Sequence, residues 1–505
     1  MFLLGSRGRM GNYLSIDIGS TSTKAALYRP EGTLAASRSV NYTIQYPHPG
    51  WAEQDPKVWW DATRQCCHHV LEDFSGEEIE VVSVSGQAPG CVAIDRQGKA
   101  LRPAILWMDR RAIPQVEKLH IQLGANRAET IGGNTLDSYF GGLKWAWFQQ
   151  NEPRLYNKTW KFLQANNYVS FRLTGEISTD PSQAGLCSPC FNLQDRRWDP
   201  SICDLMGLDF DKLPPIFPSN MIIGQVTKAA SIELGIPVGI PVICGGGDFA
   251  CACLGAGVVQ PGSAAMMLGT SGNLLIPASL KTDPRLLNTI HVTGQNLSLG
   301  AVMAGGAVNW FKTMLSIDKP DIFELLDAEA SQTPPGAEGL VFLPYLMGER
   351  TPIWDPYARG VFIGLSTSHT RGHLYRAVLE GVAYAFRQMM EIISNINTPI
   401  TEIIAINGGA RSPLWRQIFA DVLEVPIRWR PTSGGTSLGA AFLAAQSSTK
   451  YLSIADLSAW LEPTQDTFPN LNSVYSYHSL YEVFCSVHDR LKDLFPKLNE
   501  TSFKK

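Results

Sequence analysis

From residue 14 the chain reads Leu-Ser-Ile-Asp-Ile, apolar and polar positions alternating, then turns through Gly-Ser-Thr and resumes as Ala-Ala-Leu-Tyr. That period-two pattern predicts a strand over 14–18, a turn over 19–23 and a second strand over 25–28. "IEVVSVSGQ" predicts another strand over 79–85, and "PAILWMDRR" is a further apolar run ending in charge. Helical spacing appears over 142–150 and over 166–173, the latter closed by Gly175. "GIPVICGGGDFACACLGAG" is β-rich, breaks into three glycines, and resumes with small residues fit for a closely packed helix.

Directly downstream, "AAMMLGTSGNLLIPA" repeats the outline of the opening stretch: apolar strand, turn of glycine and hydroxyls, apolar strand. Two such hairpins, some 250 residues apart, predict an internal duplication with its boundary near 257–262. Length agrees, since 505 residues exceed what one core usually serves. The expected domains are 12–256 and 257–490, and the alternation of strands and helices makes the class α/β. Later, a strand over 403–406 runs into "NGGARSPLWRQIFADVLEVPI", a glycine turn opening an amphipathic helix, and "AGGAVNWF" reads as a similar helix start.

Composition narrows the function classes. Hydrophobic residues make up 45% and charged residues 17% of the chain, a globular balance. A net charge of −4 and a pI near 6.2 leave no basic excess for nucleic acid or an anionic membrane, and neither is expected as a partner. Ten cysteines, several inside apolar runs, look like reduced, packed thiols. Cys187-Ser-Pro-Cys190 has CxxC spacing, but no second Cys or His pair completes a zinc site. The apolar core Phe2-Leu3-Leu4 is too short for a secretory signal, and no apolar run reaches membrane-spanning length, so a cytoplasmic location is expected.

The candidate chemistry starts at Asp17. A carboxylate in an apolar strand is costly unless it meets a cation or donors. The small hydroxyl residues after it make a collar for an anion. Phosphate with a metal ion is one reading, a hairpin turning on Gly19 the other. Neither hairpin is a Walker A loop, because Gly19–Lys24 lacks the second glycine, and no GxGxxG follows a strand. What remains is oriented amides and hydroxyls around Ser20, Thr21 and Ser22 and around Gly269, Thr270 and Ser271. Asp248, behind three glycines, fits a base in an open space or a helix N-cap, and both can hold at once. The glycines at 408–409 fit a flat group lying on the backbone or a tight strand-to-helix turn. "GWAEQDPKVWWD" fits a packed aromatic loop better than a sugar-stacking surface.

Taken together, "DIGSTSTKAAL", "HPGWAEQDPKVWW", "GGGDFACACLGAG", "LGTSGN", "GVFIGLSTSHTRGHLYRAVLEG" and "NGGARSPLWRQIFADVLEVPI" resemble the FGGY carbohydrate kinases, most closely their xylulokinase branch. The resemblance runs from about Asn12 to about Ala445, with the motifs in family order. It implies two actin-like, ribonuclease H-like domains with ATP and sugar in an interdomain cleft. It also implies an ATP- and Mg²⁺-dependent kinase acting on a primary hydroxyl of a ketopentose such as D-xylulose. Asp248 falls on the family's catalytic base and Asp17 on its Mg²⁺ residue. Ser20, Thr21, Ser22, Lys24, Gly269 and Thr270 fall on the phosphate loops, and Gly305, Asn309, Gly409 and Ala410 on the nucleotide segments. A small-molecule sugar is the implied partner, and a homodimer is compatible with it.

The sequence departs from the pattern in two places. Gly141 stands where the signature opening at "KWAWFQQN" expects Pro, Ser or Thr. Behind Gly86-Gln87, the xylulokinase pattern has Met-His and this chain has Ala88-Pro89. Gln87, Ala88 and Pro89, together with Asp248, are therefore the expected substrate-side residues, and another sugar or polyol is the alternative. The Arg-Glu that glycerol kinases carry there is absent. An actin-like ATP-binding sensor would share both hairpins but would not need Asp248.

Overall fold

Asn12–Ile18 (β1) and Ser22–Tyr28 (β2) pair as an antiparallel hairpin, and Leu34–Asn41 (β3) adds antiparallel to β2. The computed structural model describes residues 11–72, 74, 79–278, 281–315, 321–396, 399–431, 434–448 and 452–502. Phe2, Leu3 and Leu4 therefore lie outside the described residues. Ile79–Gly86 (β4) runs parallel to β1. Ile222–Gln225 (β5) and Pro241–Ile243 (β6) extend the sheet, β6 parallel to β4 and β5 antiparallel at the edge. Gly246–Gly247 (β7) pairs with the end of β4.

Alternation gives this sheet two different faces. Leu14, Ile16, Ile18, Val82 and Val84 join a core with Trp59 and Tyr168, from the helices Pro56–Leu71 and Ala165–Thr174. Asp55 caps the first of these helices and Pro56 opens it, as its sequence dictates. Tyr13, Ser15, Asp17, Ser83 and Ser85 point the other way. That face is covered by the helix Gly435–Gln446: Ser437 meets the Tyr28 hydroxyl at 2.9 Å, and Ser448, just beyond it, meets Tyr13 at 3.2 Å. The helix Asp248–Gly255 lies on it so closely that a Cβ at Gly439 would stand 1.9 Å from the Cys251 carbonyl oxygen. Only glycine allows that approach.

The second sheet repeats the plan. Ser263–Leu268 (β8) and Ser271–Ala278 (β9) form its hairpin. With Leu287–Ile290 (β10), Asn296–Met303 (β11), Glu402–Ile406 (β12), Ile427–Trp429 (β13) and Gln465–Thr467 (β14), its order is β10-β11-β9-β8-β12-β13-β14. β12 is parallel to β8 and β13 parallel to β12. Each sheet thus has at its centre a hairpin whose first strand takes a parallel neighbour, and this common plan is the duplication that the pattern predicts. The 26-residue helix Arg371–Ile396 is the spine of this core, burying Tyr375, Val382 and Phe386 among Met266, Phe342 and Trp415.

By their contacts the residues form two compact units. One takes Met1–Gly257, Asn288–Leu297 and Ser433–Glu462; the other takes Val258–Leu287, Ser298–Thr432 and Pro463–Lys505. The first unit is thus assembled from three separate pieces of chain. None of the ten cysteines is in a disulfide and nine are buried, Cys187 and Cys190 among them. Among the described residues, no helix is long and apolar enough to cross a membrane.

Candidate active site

In the first unit, Asp17 is the penultimate residue of β1, in register with Lys24 on β2 and Ser85 on β4. Ser85 Oγ donates to Asp17 Oδ1 at 2.8 Å. Burial lifts the carboxyl above the ordinary aspartate range, opposed by the Ser85 hydrogen bond and by the charge of Lys24. The cost anticipated for a carboxylate in an apolar strand is real, and a hydroxyl and an ammonium offset part of it.

The turn after β1 is held from behind. Gly19 O accepts from the Tyr42 hydroxyl at 2.7 Å and from Gln87 Nε2 at 3.2 Å. Ser20 O accepts from Gln54 Nε2 at 2.8 Å, and Thr21 O from the Tyr42 N–H at 2.9 Å. Three successive carbonyls are tied back, while among the described residues the N–H groups of Ser20 and Thr21 meet no protein acceptor. Successive amides left without protein acceptors can bind an anion. The Ser20 hydroxyl, in contrast, gives its proton to Gln87 Oε1 at 3.0 Å.

Asp248 is the first residue of its helix, and the capping position belongs to Gly247. The N-cap reading is therefore one residue off. Asp248 Oδ1 accepts from the Phe249 N–H at 2.7 Å. Its carboxyl is half-buried by area but enclosed by protein mass, and it is pushed up to about 7, first by burial and then by the charge on Asp17. The two carboxylates oppose each other's ionisation, so a cation at Asp17 relieves both. Behind Asp248, the Gly247 N–H donates to Ser182 Oγ at 2.9 Å. Asp180 Oδ2 in turn accepts from the Ser182 N–H at 3.0 Å and the Ser219 hydroxyl at 2.9 Å.

Of the expected substrate-side residues, Gln87, Ala88 and Pro89 are buried and Asp248 is half-buried. Gln87 is 3% exposed, with its amide committed to the turn and to Gln54. The Ala88 carbonyl accepts from the Tyr139 hydroxyl at 3.4 Å, and Pro89 lies against Gly141.

In the second unit, the turn after β8 is tied back by a helix start instead of side chains. The Gly305 N–H donates to Gly269 O at 2.8 Å, and the Gly306 N–H to Thr270 O at 2.9 Å. A Cβ on Gly305 would stand 2.6 Å from Gly269 O, so the contact requires glycine. Gly269, Thr270, Gly305, Asn309 and Gly409 line one cavity of about 510 Å³. Ala410 does not line it: it is fully buried, its carbonyl accepting from Arg416.

Sequence reasoning missed Asp327, Tyr375 and Trp415 on the wall of that cavity. Ser412 Oγ donates to Asp327 Oδ2 at 2.6 Å and accepts from the Trp415 N–H, capping the helix Pro413–Leu423. Burial raises the Asp327 carboxyl, and the Ser412 bond opposes the rise. The Ser-Pro pair before an apolar run was a legible cap signal. Nothing in the amphipathic helix Ile322–Ser331 marked Asp327 out. For a divalent cation in the first unit, the Asp17 carboxylate is the right donor chemistry. Among the described residues no cluster of three or more His, Cys, Asp or Glu is built to hold a metal alone.

The family model of the FGGY carbohydrate kinases, N-terminal domain, matches residues 12–255, and that of the C-terminal domain matches 264–448. A xylulose kinase of Staphylococcus xylosus is 32% identical over 487 residues, 95% of this chain and 100% of that protein. The crystal structure of a xylulose kinase from Rhodospirillum rubrum superposes with a TM-score of 0.88 at 33% identity, covering 96% and 99% of the two chains. A gluconate kinase structure from Lactobacillus acidophilus reaches a TM-score of 0.91 at 26% identity, covering 97% and 100%.

Proposed function

The chain belongs to the FGGY family of carbohydrate kinases, enzymes that use ATP with Mg²⁺, and from that premise we propose that it phosphorylates a primary hydroxyl of a ketopentose, D-xylulose first among candidates. Similarity to xylulose kinases over nearly the whole chain supports the sugar. The observation that carries the chemistry is the pair Asp17 and Asp248, two enclosed carboxyls, one raised by the charge of the other.

The reaction takes ATP and a sugar to ADP and a sugar phosphate. Little covalent work falls to the protein: alignment, charge neutralisation and a late proton acceptor suffice. Asp248 accepts the proton of the attacking hydroxyl as the new oxygen–phosphorus bond forms. General-base help of this kind is worth about 10²–10⁴-fold. Asp17 would hold Mg²⁺, which would supply positive charge against that of the phosphates, and Ser85 and Lys24 favour the ionised carboxylate against its burial. The amides of Ser20 and Thr21 take phosphate oxygens, with Ser22 beside them, and so does the Gly269–Thr270 turn. The cavity at Gly305, Asn309 and Gly409 takes the nucleoside. Gln87 acts on the sugar side through the backbone it holds, next to Ala88 and Pro89.

ADP release, coupled to a spectroscopic readout, tests the reading across D-xylulose, other ketopentoses, hexuloses, gluconate and polyols. Xylulose-dependent release, lost by at least about 10²-fold in Asp248→Ala, is the expected result. Preference for gluconate or a polyol would overturn the sugar assignment. Release that ignores sugar, or survives Asp248→Ala, would overturn the mechanism.

A further inference from the structure

The Ser20 hydroxyl sits in a closed hydrogen-bond circuit. Trp107 Nε1 donates to Ser20 Oγ at 2.9 Å, and Ser20 Oγ donates to Gln87 Oε1 at 3.0 Å. Gln87 Nε2 donates to Gly19 O and, at 3.3 Å, to Gln54 Oε1. Trp59 Nε1 donates to the same Gln54 Oε1 at 2.8 Å, and Gln54 Nε2 donates to Ser20 O and, at 3.1 Å, to Thr43 O. Both indoles can only donate, and the backbone oxygens can only accept. The direction of each bond and the orientation of both glutamine amides are therefore forced by chemistry.

Trp59, Gln54 and Gln87 are buried, whereas Ser20 and Trp107 are partly exposed. Trp107 belongs to a different segment from the turn. Its carbonyl accepts from Lys144 Nζ at 3.4 Å, and its ring meets Tyr139 edge-on at 6.3 Å. Tyr139 also donates to Ala88 O. Trp107 thus joins the Gln87–Pro89 segment to the turn that presents the amides of Ser20 and Thr21.

We propose that Trp107 is a positioning residue that sets the first phosphate turn through the Ser20 hydroxyl. This rests on the kinase reading above and adds a role for residues that touch neither phosphate nor metal. It also reassigns Ser20: its backbone N–H serves the anion, while its side chain, with its only proton spent on Gln87, is a brace.

Trp107→Phe keeps the ring and deletes the one N–H; Ser20→Ala deletes the hub from the other side. In either variant the kcat for sugar phosphorylation should fall about tenfold, the worth of one buried hydrogen bond to a polar network. Sugar KM should stay within about twofold, and the double variant should lose no more than the worse single, because both cut one circuit. Hydrogen exchange gives a readout that needs no substrate: the Gly19 and Gln87 amides should exchange about tenfold faster in Trp107→Phe. If no sugar is phosphorylated by the native protein, the kinase reading fails and the exchange result still decides this one. Unchanged kcat and unchanged exchange in both variants, or additive losses in the double, would overturn it, as would an effect confined to the melting temperature.

Discussion

Ser412 and Asp327 meet through a 2.6 Å hydrogen bond on the wall of the second unit's cavity, and the same hydroxyl caps a helix. Ser412→Ala removes both interactions. Loss of the cap should cost about 1 kcal/mol of stability, read from the denaturant midpoint. Loss of the bond leaves Asp327 freer to protonate, and ADP affinity measured by calorimetry should weaken about fivefold. Ser412→Thr, which keeps the hydroxyl, should restore most of both.

Gly439→Ala sets two effects against each other. Alanine favours a helix over glycine by about 1 kcal/mol. Here, however, the added methyl would stand 1.9 Å from the Cys251 carbonyl oxygen, a backbone atom that no rotamer change can move. Overpacking of this kind costs about 1–3 kcal/mol, so the sign should be destabilising. Gly408→Ala, where nothing lies within 4 Å, should change the unfolding free energy by no more than about 0.5 kcal/mol.

Asp180 is fully buried and pushed up to about 6 by desolvation, which outweighs its serine hydrogen bonds. In the folded state it therefore binds a proton more readily than in the unfolded chain. Its contribution is fully present below the unfolded value of 3.8 and is lost as pH rises through about 6. A shift of that size corresponds to about 3 kcal/mol. Asp180→Asn should accordingly gain stability at pH 8 and gain none at pH 4. A gain equal at both pH values would show that burial of the charge is not the cause.

Ser85→Ala should act on Mg²⁺ rather than on catalysis at saturation. Without the Ser85 hydroxyl, one of the two influences that hold Asp17 down is gone. The Mg²⁺ concentration for half-maximal rate should rise about tenfold, the usual scale for removing a group that supports a metal ligand. The kcat at saturating Mg²⁺ should change little.

Much of the fold was legible because periodicity is local. The two hairpins, the Gly175 stop and the helix after Gly409 all follow from spacing within a dozen residues. Ser83 and Ser85 could be read as one face of a strand, but not that this face carries Asp17. Pairings that join distant segments leave no such trace. Trp107 to Ser20, Ser412 to Asp327 and Ser182 to Gly247 each tie residues more than sixty positions apart. Gln87 is the instructive case: its place suggested contact with sugar, while the structure spends its amide on the turn. Resemblance marked the position, and only geometry gave the bonds.

The helix Gly435–Gln446 covers one face of the sheet that residues 12 to 247 form. A ribosome that has released the first 257 residues has therefore released a sheet with Tyr13 and Tyr28 still bare, and must add nearly two hundred more before the lid arrives. A fragment cut at residue 257 should precipitate, and a synthetic peptide spanning 434–448, supplied in trans, should rescue it.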